Sequence, residues 1–347
     1  MFYENILTLN LLKINELYFC HVLNLLAYIF FIFAQTFFMK NKIVVYTALF
    51  GNYSGIIEQP ILDNVDYICY TDQDIFSDSW KITKITPPVK DDNTRSNRYY
   101  KILPHKHLKE YQISIYIDAN FLILKDFTSM ILQKLKNNSM LCFDHNQTIL
   151  DKRNCIYLEH EELEKIAKNH GVYRDSIETM QSQINFLRTE KYPEDNGLIS
   201  AGILIRNHHD KDVIALMELW WDFVKNRSKR DQLSFNYAVW KLKFNNIEYL
   251  KGDIRSGNPW FYWMDHKKDF SKDIKKLKKQ QLLNKIPKFI LDIIYFIQYP
   301  ILFFKIKKWC HRYTNSEVSE KEIKKIRNLA LKRRLYKEGI IKEIHYL

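Results

Sequence analysis

The segment SIYIDANFLI, residues 114–123, decides the fold that this sequence predicts. Ser114–Ile117 is a short β-branched run of the kind that forms a buried strand, and it stops at Asp118. Asp118 and Asn120 are two residues apart, so in extended backbone their side chains point the same way while Ala119 turns aside. We therefore expect two oxygen-bearing side chains to leave the end of a strand together.

Strands and helices alternate on both sides of this segment. The predicted helices are Arg95–Glu110, with Pro104 as a kink or break, and Val213–Val224; the predicted strands are Lys42–Leu49, Asp66–Tyr70 and Leu198–Ile205. Such alternation indicates a mostly parallel sheet covered by helices on both faces. Ligands bind these sheets beyond the carboxyl ends of the strands, where Asp72, Asp118 and Asn120 would lie.

The Asp118 and Asn120 pair has the chemistry of a cation site. Two oxygen ligands can share one hard divalent cation, and Mg²⁺ or Mn²⁺ held in this way keeps open positions for phosphate oxygens. A cation on a diphosphate neutralises charge on that leaving group, which is the main electrostatic need of sugar transfer. An Asp and an Asn after a strand are also common turn formers, so the motif alone leaves a structural role open.

Two further segments bring charge to the predicted site. The helix before the 114–123 segment carries three basic residues at three-residue spacing, which predicts either one basic face or a solvated surface: Arg95, Arg98 and Lys101. The segment RDQLSFNYAVW, 230–240, opens another predicted helix. Its Asp231 and Gln232 either cap that helix or project into a cleft and hold sugar hydroxyls.

The net charge of +13 is concentrated at one end of the chain. Residues 267–347 contain 22 basic and 8 acidic side chains, whereas the other 266 residues contain 31 and 32. Outside this tail the charges are nearly balanced, and the aromatic residues lie in apolar periodic runs. Both features argue against a nucleic-acid-binding protein. The tail holds an apolar aromatic stretch between lysine clusters, which indicates either a segment at the interface of an anionic membrane or a helix packed on the body.

The N-terminal region has two interpretations. Residues 17–38 form an uncharged apolar run long enough to cross a bilayer, and Lys40 and Lys42 directly after it would leave the body in the cytoplasm. Alternatively Met39 is the natural start, and the apolar segment comes from an upstream start codon. The scattered cysteines suit a reducing compartment. We expect three regions: the apolar segment 1–38, a catalytic domain 39–266 and the basic helical tail 267–347.

Seven segments resemble, in order, a glycosyltransferase-like family found in bacterial surface-polysaccharide gene clusters and among plant cell-wall proteins. They are VVYTALFGNY (44–53), DYICYTD (66–72), RSNRYYKILPHK (95–106), SIYIDANFLI (114–123), CIYLEHEEL (155–163), GLISAGILIRNH (197–208) and SKRDQLSFNYAVW (228–240). The order of an arginine-bearing helix, a D-x-N motif, a Gly-rich strand and an Asp-Gln pair is also similar to glycogenin-like transferases of the GT-A fold. Residues 257–260, GNPW, look like the Lys-Pro-Trp segment of that group, with Asn258 in place of Lys.

The resemblance implies a GT-A-like α/β fold, a nucleoside-diphosphate sugar donor, with UDP favoured, and Mn²⁺ or Mg²⁺. It implies that the metal is held by Asp118, Asn120 and, as a third ligand, His266. Asp231 and Gln232 would sit at the acceptor or the reacting sugar. The residues that would face the nucleotide or the donor are Thr47, Ala48, Tyr53, Asp72, Arg95, Arg98 and Lys101. Because Asn120 is neutral where an Asp is also common, metal binding is expected to be weaker.

The expected function is transfer of a sugar to a surface-polysaccharide or lipid-linked acceptor at the cytoplasmic face of the membrane. An inert sugar- or nucleotide-binding member of the same fold is the alternative. His145 and Glu159, which flank Arg153, belong to the resemblance and are further candidates for the site. The other histidines are expected to be structural.

Overall fold

The computed structural model describes residues 43–255 and 257–283. Its strands are β1 Ile43–Leu49, β2 Val65–Thr71, β3 Lys81–Lys84, β4 Ile113–Ile117, β5 Phe121–Ile123, β6 Met140–Asp144, β7 Ile199–Asn207, β8 Ile247–Leu250 and β9 Phe261–Trp263. Within the described residues, seven strands form one sheet in the order β3-β2-β1-β4-β7-β6-β8, and β5 pairs with β9 separately. In the large sheet β7 runs against the other strands, which are parallel to one another.

Helices pack on both faces of the large sheet. They are α1 Asn93–Ile102, α2 Pro104–His107, α3 Thr128–Lys134, α4 Ile156–His170, α5 Ile177–Thr189, α6 Lys211–Asn226 and α7 Phe235–Leu242, with 3₁₀ turns at His145–Gln147 and Asp231–Leu233. Strand β1 is buried along its whole length, and alternate side chains enter two different cores. A central strand buried on both faces is typical of a parallel sheet between helices. The prediction of a mostly parallel, GT-A-like α/β fold is confirmed.

The two cores differ in what covers the sheet. Val44, Tyr46 and Ala48 face a core that includes Ile102 of α1 and Trp220 of α6. Ile43, Val45 and Leu49 face the other core, with Phe127 and Ile131 at α3. A third cluster joins α4, α5 and α7. The residues that close β1, β2 and β4 therefore lie at one edge of the sheet between two packed layers.

The predicted helix Arg95–Glu110 is wrong in its extent. Helix α1 ends at Ile102, and Pro104 opens the separate short helix α2, so the predicted break at Pro104 is confirmed. Proline lacks the N–H that a continuing helix needs, and it restricts the residue before it. The predicted strands end within two residues of the observed ones.

The predicted helix RDQLSFNYAVW is also wrong at its start. Residues 231–233 form a 3₁₀ turn, and α7 begins only at Phe235. Two side chains donate hydrogen bonds to main-chain carbonyls of this turn. Trp220 Nε1 donates to Asp231 O at 2.9 Å, and Gln183 Nε2 donates to Leu233 O at 2.7 Å. The turn is therefore held by its neighbours and not by the hydrogen bonds of a regular helix.

The contacts divide the chain into two units between Trp263 and Met264. The described part of the second unit contains helix α8, Ser271–Leu283. Of the helices that the structure describes, none combines the length and apolar character that crossing a bilayer requires. The predicted segment 1–38 and the tail beyond residue 283 lie outside the described residues, so both interpretations of each stay predictions.

Candidate active site

Asp118 lies where β4 ends, as predicted, and is half-buried. Its N–H donates to Gly202 O of β7 at 2.9 Å, and the Tyr116 hydroxyl donates to Asp118 Oδ1 at 2.8 Å. A Cβ at Gly202 would lie 3.2 Å from Asp118 Oδ2 and 2.9 Å from the Phe121 ring. Glycine at this position therefore keeps the second carboxylate oxygen clear of a neighbouring side chain.

Asn120 belongs to the tight turn that follows Asp118. Phe121 N–H donates to Asp118 O at 3.0 Å. The Gln59 amide bonds to the first and last residues of β5: its Nε2 donates to Phe121 O, and its Oε1 accepts from Ile123 N–H. Asn120 is 1% exposed. The Asn120 side chain is therefore covered by protein, whereas Asp118 is partly exposed.

A buried ion cluster joins α1 to the 3₁₀ turn at Asp231. Lys101 Nζ donates to Asp231 Oδ2 at 2.5 Å, and Arg98 Nε lies 3.1 Å from the same oxygen. Lys101 and Asp231 are each 2% exposed. Two cations thus share one carboxylate next to the carboxyl end of β4, and we call these three residues the Asp231 triad.

The charge states within the Asp231 triad follow from this geometry. Burial alone would raise the pKa of the Asp231 carboxyl, but the charges of Arg98, Lys101 and Arg230 outweigh it and hold the pKa well below the ordinary value. Burial lowers the pKa of Lys101, while the charge of Asp231 opposes that shift. Asp231 is therefore ionised at neutral pH and bound to its cations.

Tyr53 and Asp118 share an electrostatic neighbourhood with this triad. Partial desolvation and the charge of Asp118 raise the pKa of the Tyr53 hydroxyl to about 12. Arg98 and Arg174 act on Tyr53 in the opposite direction. Burial and the same carboxylate also raise the pKa of Tyr116 well above its ordinary value. Both phenols are therefore neutral at ordinary pH, and Tyr116 donates its hydrogen bond to Asp118 in that form.

Arg95 is not with Arg98 and Lys101. Its Nε donates to Val224 O at 2.9 Å and its Nη2 to Arg227 O at 2.6 Å, at the end of α6. Its Nη1 pairs with Asp92 at 2.6 Å. These bonds fix α1 on α6, and a donor contact for Arg95 stays a prediction.

The remaining predicted nucleotide residues lie at the edge formed by β1 and β2. Thr47 is fully buried, and its Oγ1 has no hydrogen-bond partner among the described residues. Ala48 faces the opposite core, with its carbonyl bonded to the Asn97 amide. Both carboxylate oxygens of Asp72 accept from Gly51 N at 3.2 Å, which fixes the turn after β1. The nucleotide roles of Thr47, Ala48, Tyr53 and Asp72 stay predictions.

Gln232 belongs to a second buried charge network. Its Nε2 donates to Ile199 O at 2.8 Å, and its Oε1 accepts from Arg230 at 2.9 Å. Arg230 also bonds to Glu159, which pairs with Arg153 at 2.8 Å. Arg153 in turn contacts His145 Nε2 at 3.1 Å. The structure thus brings the predicted trio of His145, Arg153 and Glu159 together and connects it to Gln232.

The residues fit a divalent cation that is shared with a ligand. Among the described residues there is no group of three His, Cys, Asp or Glu side chains arranged to hold a metal. Asp118 Oδ2, beside Gly202, and the Asn120 amide offer two oxygens at the most, which is the donor type that Mg²⁺ and Mn²⁺ prefer. Phosphate oxygens and water would complete such a site. His266 lies in the second unit, and its place as third ligand stays a prediction.

Asn258 has a structural task in its loop. Its amide donates to Asp253 O at 2.9 Å and Ile254 O at 3.2 Å, and its Oδ1 accepts from the N–H groups of Trp260 and Phe261. At 8% exposure the side chain is occupied by this main-chain network. The Lys of the resembled segment is therefore replaced here by a loop-closing amide.

Sequence reasoning missed three neighbours of the predicted site. Tyr116 was detectable, because it stands two residues before Asp118 on the same strand face. Gly202 was also detectable, since a glycine inside a strand often marks a close approach of another group. Arg174, which acts electrostatically on Tyr53, follows the long helix α4 and has no local signal.

The fold is an α/β sheet between two helical layers, with the candidate site at the carboxyl ends of its parallel strands. The sequence profile of the TOD1/MUCI70, glycosyltransferase-like domain family matches residues 62–251. The chain belongs to this family. No curated protein sequence matches the chain significantly.

Several solved glycosyltransferase structures are similar to the chain at low identity. The apo structure of the bifunctional glycosyltransferase WbbM has a TM-score of 0.36 and 11% identity, over 61% of this chain and 39% of that one. The galactosyltransferase LgtC in complex with donor and acceptor sugar analogs has a TM-score of 0.33 and 11% identity, over 60% and 73%. GlyE of Streptococcus pneumoniae TIGR4 has a TM-score of 0.32 and 11% identity, over 61% and 45%. The chain thus spans less than half of WbbM and of GlyE.

Proposed function

We propose that the chain is an active glycosyltransferase that moves a sugar from a nucleoside-diphosphate sugar, with UDP favoured, to a surface-polysaccharide or lipid-linked acceptor. One observation carries the proposal: Asp118, a half-buried carboxylate, lies near two cations, the partly exposed Arg98 and the buried Lys101, at the ligand-binding edge of an α/β sheet. Membership of a glycosyltransferase-like family supports it.

Arg98 is the cation best placed to meet a diphosphate. Its side chain is 17% exposed, whereas that of Lys101 is 2% exposed and bound to Asp231. A guanidinium presents five N–H donors in a planar fork that suits phosphate oxygens. Arg98 would bind the diphosphate and stabilise the charge that develops on it as the sugar leaves.

Asp118 and Asn120 would hold a divalent cation on the same diphosphate. When bound, Mg²⁺ or Mn²⁺ would add positive charge at the leaving group. Tyr116 orients Asp118 through the hydrogen bond to Oδ1. Because Arg98 already supplies a fixed positive charge, we expect activity to fall without metal but not to vanish.

Asp231 would act as a positioning residue. A general base works best when its pKa lies near the working pH, and the two cations hold the pKa of this carboxyl far below neutrality. The Asp231 side chain is also buried, and its Oδ2 is in contact with both Lys101 and Arg98. Its contribution is to hold Arg98 at the edge of the sheet, next to the turn that carries Gln232.

We further propose that the protein is peripheral on the cytoplasmic face of an anionic membrane. Helix α8 supports this, because Lys272, Lys275, Lys276 and Lys278 are exposed while Leu277 is buried. Each lysine near an anionic surface adds about 1 kcal/mol of attraction. Changing these four lysines to Gln should weaken sedimentation with phosphatidylserine vesicles, and unchanged sedimentation would contradict the role of this helix.

Hydrolysis of a panel of nucleotide sugars, with and without Mn²⁺, tests the catalytic proposal. We expect one UDP-sugar to be hydrolysed, and Asp118→Ala to abolish most of that activity. Asp63→Ala is the matched control, since Asp63 is exposed before β2 and away from the site. Unchanged hydrolysis in Asp118→Ala would refute the site. Calorimetric binding of UDP without hydrolysis of any donor would instead establish the inert alternative.

A further inference from the structure

A groove with a volume of about 660 Å³ lies along helix α7 and the edge strand β8. Its lining includes Asn196, Asn236, Trp240, Lys243, Asn245 and Tyr249. Small-molecule sites typically have volumes of about 300–1,000 Å³, so this groove has the size of a ligand site. We call it the α7–β8 groove.

The side chains of the α7–β8 groove suit a hydroxyl-rich ligand. Asn196 and Asn245 are exposed, and their amides carry both donors and acceptors, as sugar hydroxyls do. The Asn236 amide is 3% exposed, and its Oδ1 is bonded within the protein to Ile199 N, so it lines the groove without offering that oxygen to a ligand. Trp240 and Tyr249 are half-buried. Such rings combine an apolar face, on which the C–H face of a sugar can pack, with a polar atom for a hydrogen bond.

The charged residues among the described lining are lysines. Lys241 forms a salt bridge of 2.5 Å with Glu190, which is not one of the lining residues. Lys243 caps the C-terminus of α7 in the left-handed conformation, and its side chain is exposed. The groove therefore presents positive charge at its rim. It admits neutral sugars and favours sugars that bear a carboxylate.

The groove begins next to the candidate active site. Asn236 Oδ1 accepts from Ile199 N at 2.9 Å, and Gln232 Nε2 donates to Ile199 O at 2.8 Å. The groove residue and the site residue thus hold the same residue of β7. Trp240 follows Asn236 by one helical turn on the same side of α7, which continues the line away from Gln232.

The far end of the groove lies away from the ligand-binding edge of the sheet. Asn245 precedes the start of β8 and marks this far end of the groove. Tyr249 lies near the carboxyl end of β8, where it pairs with Cys142 of β6, and marks the end closer to the ligand-binding edge. The four residues of β8 span about 13 Å at about 3.3 Å per residue. A chain of sugars that lies in the groove would have one end at the Gln232 side.

We infer that the α7–β8 groove binds the acceptor glycan as an extended oligosaccharide, with the end that receives the new sugar beside Gln232. This inference rests on the proposed function, because it gives the acceptor of that reaction its place. In this arrangement Trp240 packs on one sugar ring, and the exposed amides of Asn196 and Asn245 bond to sugar hydroxyls.

Saturation-transfer NMR on the full chain tests this inference with three glycans: maltotriose, chitotriose and trigalacturonate. We expect saturation transfer to at least one of them. Asn245→Ala removes an exposed amide from the lining and should weaken that binding about fivefold, the effect of one or two hydrogen bonds. Trp240→Leu should weaken it more than tenfold. Asn169→Ala, an exposed Asn on α4, is the matched control.

Binding of UDP is measured in the same samples, so that the two proposals fail in different ways. UDP binding with no saturation transfer to any of the three glycans would overturn the groove and leave the proposed function standing. Glycan binding that both variants weaken, without UDP binding, would leave the groove as a glycan site but overturn the proposed function and, with it, the acceptor role. Glycan binding that neither Asn245→Ala nor Trp240→Leu changes would place the glycan elsewhere and overturn the inference.

Discussion

Substitution of Asp231 by Asn is the sharpest test of the role that the buried triad plays. The change keeps the shape of the side chain and removes its charge. Lys101, 2% exposed, and Arg98 would then face each other in a buried setting without their shared carboxylate. We expect Asp231→Asn to destabilise the protein far more than a surface substitution does.

The magnitude follows from the burial of both partners. Removing one member of a buried ion pair costs about 3–5 kcal/mol, because the other charge stays behind uncompensated. Lys101→Met should cost less, because Asp231 retains Arg98 at 3.1 Å and the charge of Arg230. The double variant should lose less than the sum of the single losses, since it leaves neither Asp231 nor Lys101 charged.

Urea denaturation followed by tryptophan fluorescence measures these differences, with Asp63→Asn as an exposed control. The pH dependence adds an independent signature. A carboxyl whose pKa is depressed in the folded state stabilises the protein above its unfolded pKa of about 3.8 and loses that contribution as the pH falls toward the folded pKa. Asp231→Asn should therefore flatten the acid limb of the stability curve below about pH 4. A loss under about 1 kcal/mol, or additive single losses, would refute the triad.

Three further predictions rest on particular contacts. Burial lowers the pKa of His208 from 6.5 to about 4, so the unfolded chain binds its proton more tightly. Between pH 7.5 and 5 the free energy of unfolding should therefore fall by about 2 kcal/mol because of this residue alone. Urea denaturation of His208→Gln should show a pH-dependent fall that is smaller by this amount. The control His170→Gln, at an exposed histidine, should show the same fall as the wild type. Gly202→Ala places a Cβ 2.9 Å from the Phe121 ring, which should cost about 1–3 kcal/mol and lower donor hydrolysis; wild-type values in both assays would contradict the close approach. Asn258→Lys restores the lysine of the resembled segment but breaks the main-chain bonds of its buried amide, so thermal melts should show a loss of about 2–3 kcal/mol and hydrolysis should not rise; a gain in hydrolysis would refute this reading of the loop.

The strands of the sheet were predictable because their signal is local. β1, β2, β4 and β7 are short β-branched runs, and each ends near a polar or glycine residue. The pair β5 and β9 was not predictable in this way. Each has three residues, and their pairing joins Phe121 to Trp263 across most of the domain. A pattern that depends on distant main-chain partners leaves no period in the sequence.

The basic helix shows where local spacing stops being informative. Arg95, Arg98 and Lys101 recur every three residues, and spacing predicts one shared face. In the structure Arg98 and Lys101 meet Asp231, which is 130 residues beyond Lys101, whereas Arg95 meets carbonyls at the end of α6. The role of each side chain depends on the residue that contacts it in the folded protein. The sequence therefore predicts a basic helix, but it does not predict which partner each basic side chain meets.

The two aspartates of the site differ in a way that only their partners reveal. Asp231 is surrounded by cations of the protein itself, and a bound metal would have to displace Lys101 and Arg98 from a 2% exposed carboxylate. Asp118 accepts from a neutral phenol at Oδ1, and its Oδ2 faces a glycine. A carboxylate without a cation in contact attracts one, while a carboxylate already paired holds its partners in place. In the proposed function, this distribution of charge favours Asp118 as the cation ligand, while Asp231 holds the arginine that would meet the diphosphate.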